Sequence, residues 1–141
     1  MKLQTFIVLA ALVLMTLLVP GVQAQERLLF RVDIPFEFMA GGVHLLPGQY
    51  LAFHTAPLMI ELVRQDGHAS AWLPVKASPV MSGENSNQLL FKRYGDTYFL
   101  SGVQTGYDQQ LHECYRCRAE KTLAAQYRST EPKTVVIAAI R

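Results

Sequence analysis

The stretch LMIELVRQDGHASAWLP, residues 58–74, decides the fold class. Asp66-Gly67 divides it into two runs of alternating apolar and polar residues, and Asp-Gly supplies the positive φ angles of a type I′ turn. With Gln65 set opposite His68, one face collects Leu58, Ile60, Leu62, Ala69, Ala71 and Leu73, while the other carries Met59, Glu61, Val63, Ser70 and Trp72. Period two with one apolar face is a half-buried antiparallel hairpin. The second face is mixed: Glu61 opposite Trp72 points to partial solvent contact, and Met59 and Val63 fit a surface lying under a loop.

The same period extends in both directions. Residues 31–38 place Val32, Ile34, Phe36 and Phe38 on one side and Arg31, Asp33, Pro35 and Glu37 on the other. Pro35 cannot donate to a ladder, which puts that strand at an edge or a bulge. Gly41-Gly42 breaks the run, and Pro47-Gly48 turns the chain into a strand over about residues 49–54. A second hairpin spans residues 88–104 about Gly95-Asp96, with Gly first as a type II′ turn requires. Phe91, Leu100, Leu89 and Tyr98 share one of its faces, and Tyr94, Phe99 and Leu90 the other, so both faces are expected to be covered. A two-layer sandwich would pack Trp72 in the same way, against a second layer.

Residues 111–128 switch to helical spacing, with Tyr115, Ala119, Leu123 and Tyr127 stepping by four. Residues 134–140 read as a short buried final strand. Seven short strands, tight turns and one helix predict a mainly β fold: a compact antiparallel β-sandwich or partly open β-barrel with one helix in the C-terminal half. An outer-membrane barrel needs about ten alternating residues per strand, more than most of these runs offer.

Ahead of the β pattern, Lys2 precedes an apolar run from Phe6 to Val19 that ends Pro20-Gly21-Val22-Gln23-Ala24. A cationic start, an apolar centre and small residues at Val22 and Ala24 make residues 1–24 a signal peptide cleaved before Gln25. The expectation is a single domain over residues 25–141, periplasmic or secreted, with no membrane span in its mature form. Thirteen basic residues are dispersed among eleven acidic ones, with a net charge of +2. No Lys/Arg run or basic face emerges, which sets nucleic acid aside.

Cys114-Tyr115-Arg116-Cys117 is the constellation with recognisable chemistry. In an oxidising compartment the pair is expected as a disulfide, its small loop stabilising by roughly 2 kcal/mol. The sharper alternative is a thiol–disulfide oxidoreductase, with the start of the helix and Arg116 and Arg118 lowering a thiol pKa, but the parallel βαβ context is missing. Zinc on Cys114, Cys117 and His112 lacks a fourth ligand, with His44, His54 and His68 scattered. Arg118 stands where a c-type haem motif needs His. Asp33 and Glu37 lie roughly 13 Å apart along a strand, too far for a glycosidase pair. No hydrolase elbow or phosphate loop occurs, so neither a catalytic group nor a cofactor is expected.

What remains is recognition. Among the aromatics Trp72, Tyr94, Tyr98 and Tyr107, the face holding Trp72 beside Glu61 is the preferred contact patch, and Tyr107, between Gly106 and Asp108, is the one least explained by packing. The resulting expectation is a non-enzymatic domain acting in binding or structural support, its partner a glycan, a peptide or an envelope protein.

Residues 32–38 (VDIPFEF), 46–50 (LPGQY), the Asp66-Gly67 hairpin and residues 90–100 (LFKRYGDTYFL) resemble a group of small exported bacterial proteins, common in soil bacteria. The resemblance covers most of the mature chain and implies a mostly β exported domain, with no catalytic assignment to carry over. Members show Ser-Arg-Ala-Glu at the helix start, where this chain has Cys117-Arg118-Ala119-Glu120. The cysteine pair is therefore a departure from the group.

Overall fold

The computed structural model describes residues 26–79 and 85–140, besides the isolated residue 4. Within them lie β1 (Arg27–Ile34), β2 (Phe38–Ala40), β3 (Val43–Leu45), β4 (Gly48–Ala56), β5 (Met59–Arg64), β6 (Ser70–Pro79), β7 (Gln88–Tyr94), β8 (Thr97–Thr105), β9 (Gln110–Cys114), α1 (Arg118–Gln126) and β10 (Lys133–Ala138). The fold is mainly β with one helix. The signal peptide over residues 1–24 lies outside the described residues. Among the described residues no helix is long and apolar enough to cross a membrane.

The β5–β6 hairpin has the register read from its alternation: Ile60 faces Leu73, Glu61 faces Trp72, and Leu62 faces Ala71. Ile60, Leu62, Ala71 and Leu73 are buried in the core. Leu58, expected with them, precedes the strand and is exposed. The turn is also wider than a two-residue I′ turn. The Gly67 N–H donates to the Arg64 carbonyl, only Gly67 takes a positive φ, and the Asp66 carboxylate accepts from the His68 N–H. The β7–β8 turn is as expected, with Gly95 at φ +60° and Asp96 outside the positive region. One register shift opposite Leu90/Phe91 leaves Ser101 extra in β8. That bulge lets Leu100 and Val103, three apart, both face the core.

β1 alternates as expected but ends at Ile34, because Pro35 offers no N–H to extend the ladder. The chain resumes as the short β2–β3 hairpin. The sheet runs β1-β4-β5-β6-β9-β8, with β7 and then β10 following on the far side of β8. β9 pairs residues 102–105 of β8, and on the same side β2 meets Phe99 through a single parallel bridge from Met39. The sheet stays open: β1 and β10 share no ladder. Their ends meet at one isolated bridge, where the Ile140 N–H donates to the Arg31 carbonyl at 2.8 Å.

One hydrophobic cluster joins all these strands, from Phe30, Val32 and Ile34 to Leu89, Phe91 and Val103. At its centre the rings of Phe36, Phe91, Phe38 and Tyr50 meet edge to face, with centroids 5.1, 5.4 and 5.4 Å apart in that order.

Two expectations are corrected. The helix does not begin near residue 111: Leu111 and His112 lie in β9, whose ladders with β6 and β8 satisfy its backbone. The four-residue spacing of Tyr115 and Tyr127 buries neither ring, and the buried residue of α1 is Glu120. The final strand is not buried either. β10 is an edge strand paired to β7 alone, with Val135 and Ile137 against the core and Val136 exposed.

Candidate functional site

Directly paired residues on adjacent strands share a face. Leu28 of β1 pairs with Phe53 of β4, Phe53 with Glu61 of β5, and Glu61 with Trp72 of β6. At the usual strand separation these four side chains form a row of roughly 14 Å across the outer surface. A second row, Arg31, Leu51, Val63 and Ser70, runs beside it. Trp72 and Leu28 are each 52% exposed, so among the described residues no second layer covers the ends of this row and the packed indole expected of a sandwich is not found. Glu61 is the sole carboxylate in the two rows. Burial among these apolar neighbours raises its pKa, with a smaller push from Glu26.

The sequence placed Glu61 against Trp72 but did not reach Leu28 or Phe53. Both lie on strands whose adjacency depends on the order β1-β4-β5, which no local pattern specifies.

Tyr107 stands apart from this row, in the turn after β8. Its ring, 54% exposed, lies under the Arg27 guanidinium at 4.3 Å. A cation over the ring face accounts for its position without a ligand. Next to it Asp108 organises the loop. One carboxylate oxygen accepts from the Thr105 hydroxyl and the Gln110 N–H, and the other stands 3.4 Å from His112 Nε2. Gln109, at φ +53°, takes the left-handed conformation that lets the chain turn back.

Burial pushes the Asp108 carboxyl up, but the bonds from Thr105, Gln110 and His112 together outweigh it and leave it below its ordinary range. A carboxylate depressed on folding stabilises the fold above its unfolded pKa, and that contribution is lost as pH falls through the folded value. Asp108→Asn is therefore expected to cost about 1 kcal/mol at pH 7 in urea melts, with the difference from wild type shrinking below about pH 4. A constant difference from pH 7 to pH 2.5 would remove the carboxylate from this account.

Cys114 and Cys117 are both free thiols and are not close to one another. Cys114 ends β9 and packs against the core. Burial, with Glu120 adding to it, pushes its thiol up to about 12, the opposite of the lowering expected from a helix start. Cys117 is the residue at the start of α1, where its sulfur accepts from the Glu120 N–H at 3.5 Å. The residue spacing places both cysteines at one helix end. β9 separates them, one in the sheet and one at the cap. Among the described residues no three His, Cys, Asp or Glu side chains converge as a metal site.

No family model matches the chain, and neither a curated protein nor a solved structure matches it.

Proposed function

We propose that the chain is an exported, non-enzymatic β domain, periplasmic or secreted, that works by binding, and that its ligand is a glycan laid across the Leu28–Phe53–Glu61–Trp72 row. The carrying observation is Trp72, half exposed on a strand with Glu61 directly opposite. An exposed indole offers an apolar plate to the C–H face of a sugar, and a carboxylate in apolar surroundings gains from accepting the hydroxyls at its edge. Of the two architectures expected, the partly open barrel has the better support, from the single cluster enclosed by all the strands and the bridge between the sheet's two ends.

Glycan and peptide arrays probed with wild type and Trp72→Ala test the reading. Because the ring is not packed in the core, the substitution is expected to change stability by less than about 1 kcal/mol while abolishing glycan signals. Peptide signals without glycan signals, or a variant that binds as wild type does, would overturn it. Export rests on residues 1–24, and intact-mass analysis of a fractionated culture is expected to find a chain starting at Gln25.

The thiol oxidoreductase reading has one observation in its favour, the Cys117 sulfur capping α1. A half-buried Cys114 thiol whose pKa is raised weighs against it. Turnover in an insulin-reduction assay would revive it.

A further inference from the structure

Further along the sheet from the Trp72 row, α1 stands over the outer face of β7, β8 and β9 and leaves a half-open cavity of about 570 Å³. That is within the range of small-molecule sites, roughly 300–1,000 Å³. Leu90, Leu111 and Cys114 supply an apolar floor, and Gly102 deepens it, because a Cβ at that position would fall 3.0 Å from the Leu111 side chain and press on it.

Charge is distributed unevenly around this floor. Lys76, Lys92, Arg116 and Lys121 line the cavity against the two acids Glu113 and Glu120. Lys76 is held by Glu113 at 2.8 Å, and Arg116 reaches toward Glu120 at 3.8 Å. Glu120 is buried and also accepts from the Tyr94 hydroxyl, so its charge is engaged by the protein itself. Lys92, from the strand, and Lys121, from the helix, have no carboxylate within ion-pair distance among the described residues. They leave two positive charges beside an apolar floor, one from the strand and one from the helix, with Lys92 also acting on Glu113 at longer range.

We propose that this cavity binds a dissolved anionic amphiphile, with a carboxylate or phosphate head between Lys92 and Lys121 and an apolar body on Leu90 and Leu111. The site is distinct from the glycan row, since none of Leu28, Phe53, Glu61 and Trp72 lines it, although Lys76 lies on the same outward face of β6 as Trp72. Charge-assisted contacts from two ammonium groups fix the head, and removal of the apolar body from water supplies the remaining drive.

The test is calorimetric titration of the purified protein with dodecanoate, dodecyl phosphate, dodecanol and dodecyltrimethylammonium below their micellar concentrations, with pelleting on phosphatidylglycerol vesicles as a separate arm. Saturable one-to-one binding of the two anions is expected, weakened by salt and at least tenfold by Lys92→Glu with Lys121→Glu, and absent for the cationic chain. Lys92→Gln with Lys121→Gln, which adds no repulsion, is expected to weaken binding by a smaller factor at unchanged melting temperature. Trp72→Ala is expected to leave amphiphile binding intact, so failure here and failure of the glycan reading are separable. Equal binding of anionic and cationic chains, indifference to both lysine variants, or vesicle binding without binding of the free amphiphiles would overturn the proposal.

Discussion

Phe91→Ala is expected to be the most damaging single truncation in the chain, costing about 3–5 kcal/mol. Phe91 has no exposed surface and touches both Phe36, at 5.1 Å, and Phe38, at 5.4 Å, between ring centroids. It sits where the β7–β8 hairpin, the segment after Pro35 and the β2–β3 hairpin meet. Removing the ring leaves a cavity bounded by three separate pieces of chain, and the two hairpins among them cannot collapse inward without losing their own pairing. Against a total stability of about 5–15 kcal/mol this is a large fraction, a fall in melting temperature on the order of 10–20 °C. Urea and thermal melts followed by circular dichroism measure it. Phe36, which stacks on Tyr98 at 3.9 Å from a partly exposed position, is the control, with Phe36→Ala costing about half as much. Similar losses at the two sites would show that the core is not centred on Phe91.

The second large effect is at Gly41. The residue has φ +57°, and a Cβ there would lie 2.6 Å from the Trp72 carbonyl oxygen, a backbone atom that cannot swing aside. Gly42 has φ +83° with nothing within 4 Å of its Cβ position. The two glycines therefore separate conformation from contact. Gly42→Ala is expected to cost roughly 1–2 kcal/mol for the left-handed conformation alone. Gly41→Ala carries that cost together with displacement of the β2–β3 hairpin from β6, a total of about 3 kcal/mol or more. Trp72 is the single tryptophan of the chain, so its emission reports that displacement directly. Equal costs at the two positions would mean that the hairpin does not rest against β6.

The parts of this fold legible in the sequence are those specified within about ten residues of chain. Glu61 against Trp72 and the glycine-first turn at Gly95 follow from period two and from the φ requirement of one residue, and neither needs knowledge of what lies beyond the hairpin. The illegible parts depend on partners distant in sequence. Leu111 to Cys114 form a strand because β6 and β8 leave a gap that their backbone fills, and the accidental spacing of Tyr115 and Tyr127 imitates a helix through the same residues. Phe53 and Leu28 complete the row around Glu61 only because β1 returns beside β4. The cavity under α1 is hidden for a similar reason: Lys92 and Lys121 line it from a strand and a helix that no periodicity brings together.

The bridge between Arg31 and Ile140 also sets an order of events in assembly. Arg31 lies in the first strand of the sheet and its partner beyond the last, so this contact has the greatest sequence separation of any backbone pairing described and the highest loop-closure cost. On a chain that emerges N-terminus first during synthesis, the Arg31 carbonyl stays without its partner until Ile140 has appeared. For that interval nothing closes this edge of β1, and its N–H and C=O groups form a template for foreign strands. Chaperones that meet the nascent chain would find their longest-lived target there, and hydrogen exchange on the finished protein would be fastest at the same seam.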